Sequence, residues 1–187
     1  MEIVSIHKEK NMNSSKQLKM TVYTSLFVAL ISIGAFIAIP IGPVPIVLQN
    51  MFVLLAGIIL GPTWGLACVA IYLLIGLAGL PVFAGGTSGI GKLFGPTGGY
   101  LLGYLPAVFV TAVISKGLGK KLSSDIIAML IGSLIVYGAG VPWLKVVTSM
   151  TYEKALAVGM VPFLPGDILK IIAAAFIAKT LRPIIKL

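Results

Sequence analysis

Asp167 and Lys170 stand three residues apart in the run PGDILK, at the entrance to the last apolar stretch of the chain. On a helix that spacing brings both side chains to one face. A carboxylate there accepts from ligand N–H groups, while an ammonium donates to a carbonyl or pairs with an acid. Together they suit a neutral, urea-like head or a zwitterion. Local explanations also exist: Asp167 follows Pro165-Gly166, where it can cap the helix, and Lys170 can snorkel outward or pair with Asp167. Ionisable residues within apolar spans nonetheless point to function first.

Other residues fit the same chemistry. Lys92 lies in a glycine-dense segment and can neutralise a ligand carboxylate or stand as a solvated loop lysine. Gln49 and Asn50 open an apolar run, where amides either bond neighbouring helices or meet a ligand. Phe83, Phe94, Tyr100, Trp143 and Phe163 fall near the outer ends of apolar runs or in outer loops. Aromatics so placed form an interfacial belt or, turned inward, an apolar wall for a compact ligand.

The elements that must position these groups are membrane spans. The chain has 187 residues, 58% hydrophobic and 10% charged, with a mean hydropathy of +1.09. A bilayer-crossing helix needs about 20 apolar residues, so the length allows about six spans and no soluble catalytic domain. The spans expected are residues 20–39, 46–60, 63–80, 99–115, 125–143 and 167–181. The fold expected is an all-α integral membrane bundle of six transmembrane helices with glycine-rich outer loops. Residues 1–19 read as a loose, cytoplasmic basic tail and 20–187 as a six-helix membrane substrate-binding domain. The apolar run after the tail is too long for a cleaved signal and lacks a small-x-small cleavage pattern, so it reads as a retained span.

Between the third and fourth spans, residues 81–103 carry eight glycines and two prolines. Irregular backbone of this kind cannot face lipid, because its N–H and C=O groups would lack partners there. It must cover or line a cavity. Pro40, Pro43 and Pro45 likewise break the chain after the first span into an extended loop.

The net charge of +9 reads as topology rather than nucleic-acid binding. Lys8, Lys10, Lys16, Lys19, Lys116, Lys120, Lys121, Lys179, Arg182 and Lys186 fall on one side of a six-span arrangement, and Lys92, Lys145, Lys154 and Lys170 on the other. The first set marks the cytoplasm, so both termini are expected inside a multi-pass plasma-membrane protein. Asp125 suits a helix N-terminus. In the first span, Thr21, Ser25 and Ala29 recur every fourth residue, a spacing that lets another helix approach closely, either in the bundle or from a partner.

Several chemistries are disfavoured. The single histidine, His7, lies in the polar tail, and the single cysteine, Cys68, lies in an apolar run, so no catalytic or metal-ligating set can be assembled. Gly86-x4-Gly91-Lys92 matches seven positions of a phosphate-binding loop, but Leu93 stands where the magnesium-holding hydroxyl belongs and no strand precedes it.

The segments VPIVLQN (44–50), LAGIILGP (55–62), YLLIGLAGLPVFAGG (72–86), GPTGGYLLGY (95–104) and PFLPGDILK (162–170) resemble the BioY family, the biotin-specific substrate-capture (S) components of energy-coupling factor transporters. The similarity runs in order from residue 20 to 182. It implies six membrane helices, high-affinity capture of biotin as the transported ligand, no cofactor and no ATPase activity in this chain. It also implies partners: a membrane coupling protein (T component) and two cytoplasmic ATPase subunits. By resemblance Asp167 and Lys170 bind the ligand, and Lys92 occupies a region where some members carry a basic residue. Related S components dock on the coupling protein through a small-residue pair in the first span. Ser25 and Ala29 are the nearest match, with serine in place of the usual alanine. The competing expectations are a self-sufficient secondary transporter for a small carboxylate-bearing vitamin, coupled through Asp167, and a membrane-embedded enzyme.

Overall fold

The computed structural model describes the backbone of residues 2–40 and 42–185, with side chains from residue 14 onward. The side chains of His7, Lys8, Lys10 and Lys186, on which part of the tail and charge reading rests, lie outside the described residues. The backbone elements are α1 (Glu2–Phe36), β1 (Ala38–Ile39), β2 (Ile46–Val47), α2 (Gln49–Leu77), α3 (Ile90–Phe94), α4 (Gly98–Gly117), α5 (Leu122–Thr148), α6 (Tyr152–Gly159), a short 3-10 turn (Val161–Phe163) and α7 (Leu164–Ile185). Residues 2–19 continue α1 as helix rather than forming the loose tail expected.

Among the described residues, five stretches are long and apolar enough to cross a membrane: Ser14–Phe36, Gln49–Leu77, Gly98–Gly117, Leu122–Thr148 and Tyr152–Ile185. Large apolar side chains remain turned outward along them, among them Leu26, Phe109, Leu134 and Phe176. A surface so apolar on every long helix belongs in lipid.

α2 is not one straight rod. Gly61 adopts φ 80° and ψ −179°, followed by Pro62, a conformation open to glycine and closed to most other residues. Gln49 Nε2 donates to Tyr72 Oη at 2.8 Å, whereas 23 residues of straight helix would hold them about 35 Å apart. The chain therefore doubles back at Gly61, and α2 is a hairpin with legs 49–60 and 62–77. This is the tight turn that Gly61-Pro62 predicts.

The loop with three prolines is framed by a small ribbon: β1 and β2 pair antiparallel, Ala38 opposite Val47 and Ile39 opposite Ile46. Proline supplies no N–H, so only the flanking residues can make the ladder. α4 packs closely on α5. A Cβ on Gly99 would fall 2.3 Å from Trp143 Cβ, and one on Gly103 would press on Ala139 and Val136. The mixed stretch after the fifth span resolves into the end of α5, which stops at Ser149 in the left-handed region (φ 54°), and the short α6. Cys68 is buried and its thiol meets the carbonyl of Thr24 on α1 at 3.7 Å, as a small core residue.

Candidate substrate cavity

At the end of the bundle where α2 begins and α4 starts, a cavity of about 150 Å³ opens between the helices. The ribbon contributes Pro43, Val44, Pro45 and Val47, and the glycine segment contributes Phe83, Ala84, Thr87, Lys92, Pro96 and Thr97. The helices supply Gln49, Asn50 and Leu54 from α2, Tyr100, Leu101 and Tyr104 from α4, and Ser133, Val136 and Tyr137 from α5. Gly159, Phe163, Asp167 and Lys170 complete the wall. The glycine segment thus lines a cavity, as its backbone chemistry requires. Gly86 and Lys92 lie in a loop and a five-residue helix of that cap, which is no setting for a phosphate-binding loop.

The polar centre is built around Asp167, which is 5% exposed. Its Oδ1 accepts from Lys170 Nζ at 3.0 Å and from Asn50 Nδ2 at 2.9 Å. Its Oδ2 accepts from the hydroxyl of Tyr137. Lys170 Nζ also donates to the carbonyl of Val47 at 2.7 Å and to Asn50 Oδ1 at 3.3 Å. An ammonium has three N–H groups, and all three meet protein acceptors. Lys170 therefore fixes the carboxylate and the ribbon, while Asp167 Oδ2 has one protein donor and can accept a second hydrogen bond. The pair spans one turn of α7, as the i, i+3 spacing predicts.

Other predicted residues take distinct positions. Gln49 lines the cavity at 1% exposure, and Tyr72, to which it donates, in turn donates a hydrogen bond to the carbonyl of Val82 at 3.0 Å. This relay tethers the start of the glycine segment to α2. Phe83 packs edge-on to Tyr72, ring centroids 5.7 Å apart. Tyr100 lines the wall and donates to the carbonyl of Gly159 at 2.8 Å. Phe163 is buried in the same wall. Lys92 lines the cavity half-buried and has no ion-pair partner among the described residues.

Trp143 is a correction: it lies outside the cavity. Its Nε1 donates to the carbonyl of Gly95 at 3.0 Å and its stem packs on Gly99, so it braces the cap from behind. Tyr137, Tyr104, Ser133 and Thr87 belong to the cavity and were not singled out as site residues from sequence. A tyrosine or serine in the middle of a span is the signal that could have marked three of them. Ser25 and Ala29 are exposed on the outer side of α1, free for a neighbour.

At the opposite end, Lys16, Lys116 and Lys120 border one groove beside the Gly61 turn. There Arg182 forks onto the fully buried Asp125, with Nη1 2.7 Å from Oδ2 and Nη2 2.8 Å from Oδ1. Asp125 is more than a helix-end charge.

Comparison with known proteins places this architecture. The model of the BioY family matches residues 8–187. A BioY protein of Pyrococcus horikoshii is 42% identical over 158 residues, covering 84% of this chain and 93% of its own. The biotin transporter BioY of Thermotoga maritima is 40% identical over 166 residues, covering 88% and 96%. A crystal structure of the S component for biotin from an ECF-type ABC transporter superposes with a TM-score of 0.85 at 34% identity, covering 90% of this chain and 93% of that one.

Proposed function

The chain belongs to the BioY family, and from that premise we propose that it is the high-affinity biotin-binding membrane subunit, the S component, of an energy-coupling factor transporter. The observation that carries the reading is the cavity itself. A buried carboxylate held by Lys170, Asn50 and Tyr137 faces an aromatic-walled space under a glycine-rich cap.

Counting the two legs of α2 separately gives six crossings: α1, both legs of α2, α4, α5 and α7. The cavity end faces outward and both termini lie in the cytoplasm. Clustering of Lys16, Lys116, Lys120 and Arg182 at the far end supports this orientation.

Biotin matches the cavity in three parts. Its ureido ring offers two N–H donors and a carbonyl, for which Asp167 Oδ2 is an acceptor and Asn50 a donor. Its thioether ring and alkyl chain lie against Phe83, Tyr100, Phe163 and Leu54. Its carboxylate pairs with Lys92, because the charge of Lys170 is already balanced by Asp167 at 3.0 Å, whereas Lys92 has no counter-charge among the described residues. The ribbon and glycine segment close over the ligand. The exposed small-residue face of α1 at Ser25 and Ala29 docks on the membrane coupling protein, and two cytoplasmic ATPases supply the energy. No cofactor and no chemistry on biotin are required of this chain.

The test is calorimetric biotin binding to the purified chain, with any co-purified ligand identified by mass spectrometry. Biotin should bind the wild type and be weakened in Asp167→Asn and in Lys170→Ala. Unchanged affinity in both variants would remove the site.

A further inference from the structure

We infer that the cavity carries a second hydrogen-bonding subsite, formed by the hydroxyls of Ser133 and Tyr104, that recognises the neutral ring head of the ligand. The inference rests on the biotin reading above and assigns two further residues to it.

Ser133 sits on α5, one turn before Tyr137, and lines the cavity. Its Oγ is inaccessible to solvent and has no hydrogen-bond partner among the described residues. Buried polar atoms are satisfied in the great majority of cases, and a serine in a helix has an easy remedy, the carbonyl four residues back. This chain uses that remedy repeatedly: Thr21, Ser25, Ser32, Thr148 and Thr180 all donate to it, at 2.6 to 3.1 Å. Ser133 does not. Thr24 on α1 also has an unpartnered buried hydroxyl, but it is not part of the cavity wall.

Tyr104 on α4 adds a second hydroxyl without a protein partner among the described residues, though not a fully enclosed one. The residue is 4% exposed and lines the cavity. The hydroxyls of Tyr72, Tyr100 and Tyr137 each donate to a protein acceptor. That of Tyr104 has no partner among the described residues. The two antiparallel helices are in register with Gly103 against Val136 and Gly132 against the carbonyl of Ala107, so Tyr104 and Ser133 are offset by two residues, about 3 Å or half a turn along facing walls.

A hydroxyl both donates and accepts. Two of them together suit a neutral group carrying donors and acceptors, such as a ureido ring, or a thioether acceptor beside it. They give no charge for a carboxylate, which Lys92 takes at the half-exposed side. Among the described residues the protein offers Ser133 Oγ no partner, so a ligand group that bonds it displaces no protein hydrogen bond.

The readouts are affinities for biotin and for biotinamide, whose carboxylate is replaced by a neutral amide, and ligand-free melting temperatures. Ser133→Ala and Tyr104→Phe should each weaken both ligands about threefold to tenfold. Ser133→Ala should leave the ligand-free melting temperature unchanged or raised, opposite in sign to its effect on binding. Should Ser133→Ala fail to fold, Ser133→Cys keeps the volume with a poorer donor and should weaken binding in the same direction. Biotin affinities within about twofold of wild type in both variants would overturn the subsite. So would a loss seen with biotin but absent with biotinamide, since the hydroxyls would then read the carboxylate. Failure of the wild type to bind biotin would instead sink the parent reading.

Discussion

Among the described residues two carboxylate–cation pairs are buried in this bundle, one at each end, and they are built differently. Asp125 and Arg182 stand 57 residues apart and meet as a two-pronged fork, with Ser115 Oγ donating to Asp125 Oδ1 at 2.6 Å. The cluster ties together the ends of α4, α5 and α7 and lies outside the substrate cavity. Asp167 and Lys170 are neighbours on one turn, joined by a single contact at 3.0 Å, and both line the cavity. A planar guanidinium fixes geometry on both carboxylate oxygens, whereas an ammonium is a point charge that leaves one oxygen to other donors. The first arrangement closes a joint. The second leaves Asp167 Oδ2 with one protein donor, Tyr137, and capacity for another.

The comparison breaks most readily at Arg182. Arg182→Met leaves Asp125, which is 0% exposed, without its counter-charge, and removing one partner of a buried pair costs about 3–5 kcal/mol. Thermal unfolding in detergent should fall accordingly, while biotin affinity of the folded fraction stays at the wild-type value. The double change Asp125→Leu with Arg182→Met should recover much of the stability, because a buried pair contributes little over apolar packing. A large loss of biotin affinity in Arg182→Met at unchanged stability would invert the assignment.

Asp167→Asn should do the reverse. Losing one hydrogen-bonded charge at a ligand interface costs about 2–5 kcal/mol, or about 30-fold to several thousand-fold in biotin affinity. Its effect on ligand-free melting should be smaller than that of Arg182→Met, because Lys170 borders the cavity and keeps Val47 and Asn50 as acceptors. If both variants lost stability and affinity in the same proportion, the two pairs would be equivalent and the contrast would fall.

These outcomes bear on what the sequence could convey. Apolar runs located the spans, and Gly61-Pro62 marked the hairpin, because length and backbone chemistry are local properties. Asp167 and Lys170 were legible for the same reason: one helical turn places them together. Asp125 and Arg182 were not. Each has a sufficient local explanation, a helix N-terminus for one and the positive-inside bias for the other, so neither demanded a partner. Tyr104, Ser133 and Tyr137 escaped because helices apolar all round give no phase: periodicity cannot separate the inward face from the lipid face. Trp143 shows the same gap in reverse, an aromatic at the right depth whose rotation about α5 sends it behind the cap. The ribbon at Ala38 and Val47 depends on pairing across three prolines, which no single-residue propensity reveals.

The smallest effect expected sharpens the comparison from the ligand's side. Lys92 has no ion-pair partner among the described residues and is half-buried at the cavity, so it resembles neither buried pair. An ion pair at such a site contributes about 0.2–1 kcal/mol, so Lys92→Met should weaken biotin no more than about fivefold. The loss should shrink as salt is raised, since partly exposed charges are screened. Biotinamide should bind Lys92→Met and wild type alike, because it brings no carboxylate to the lysine. Equal losses for both ligands, insensitive to salt, would mean that Lys92 supports the cap rather than reading charge. The only cation engaged with the ligand would then be Lys170, and the carboxylate would have to displace Asp167 from it.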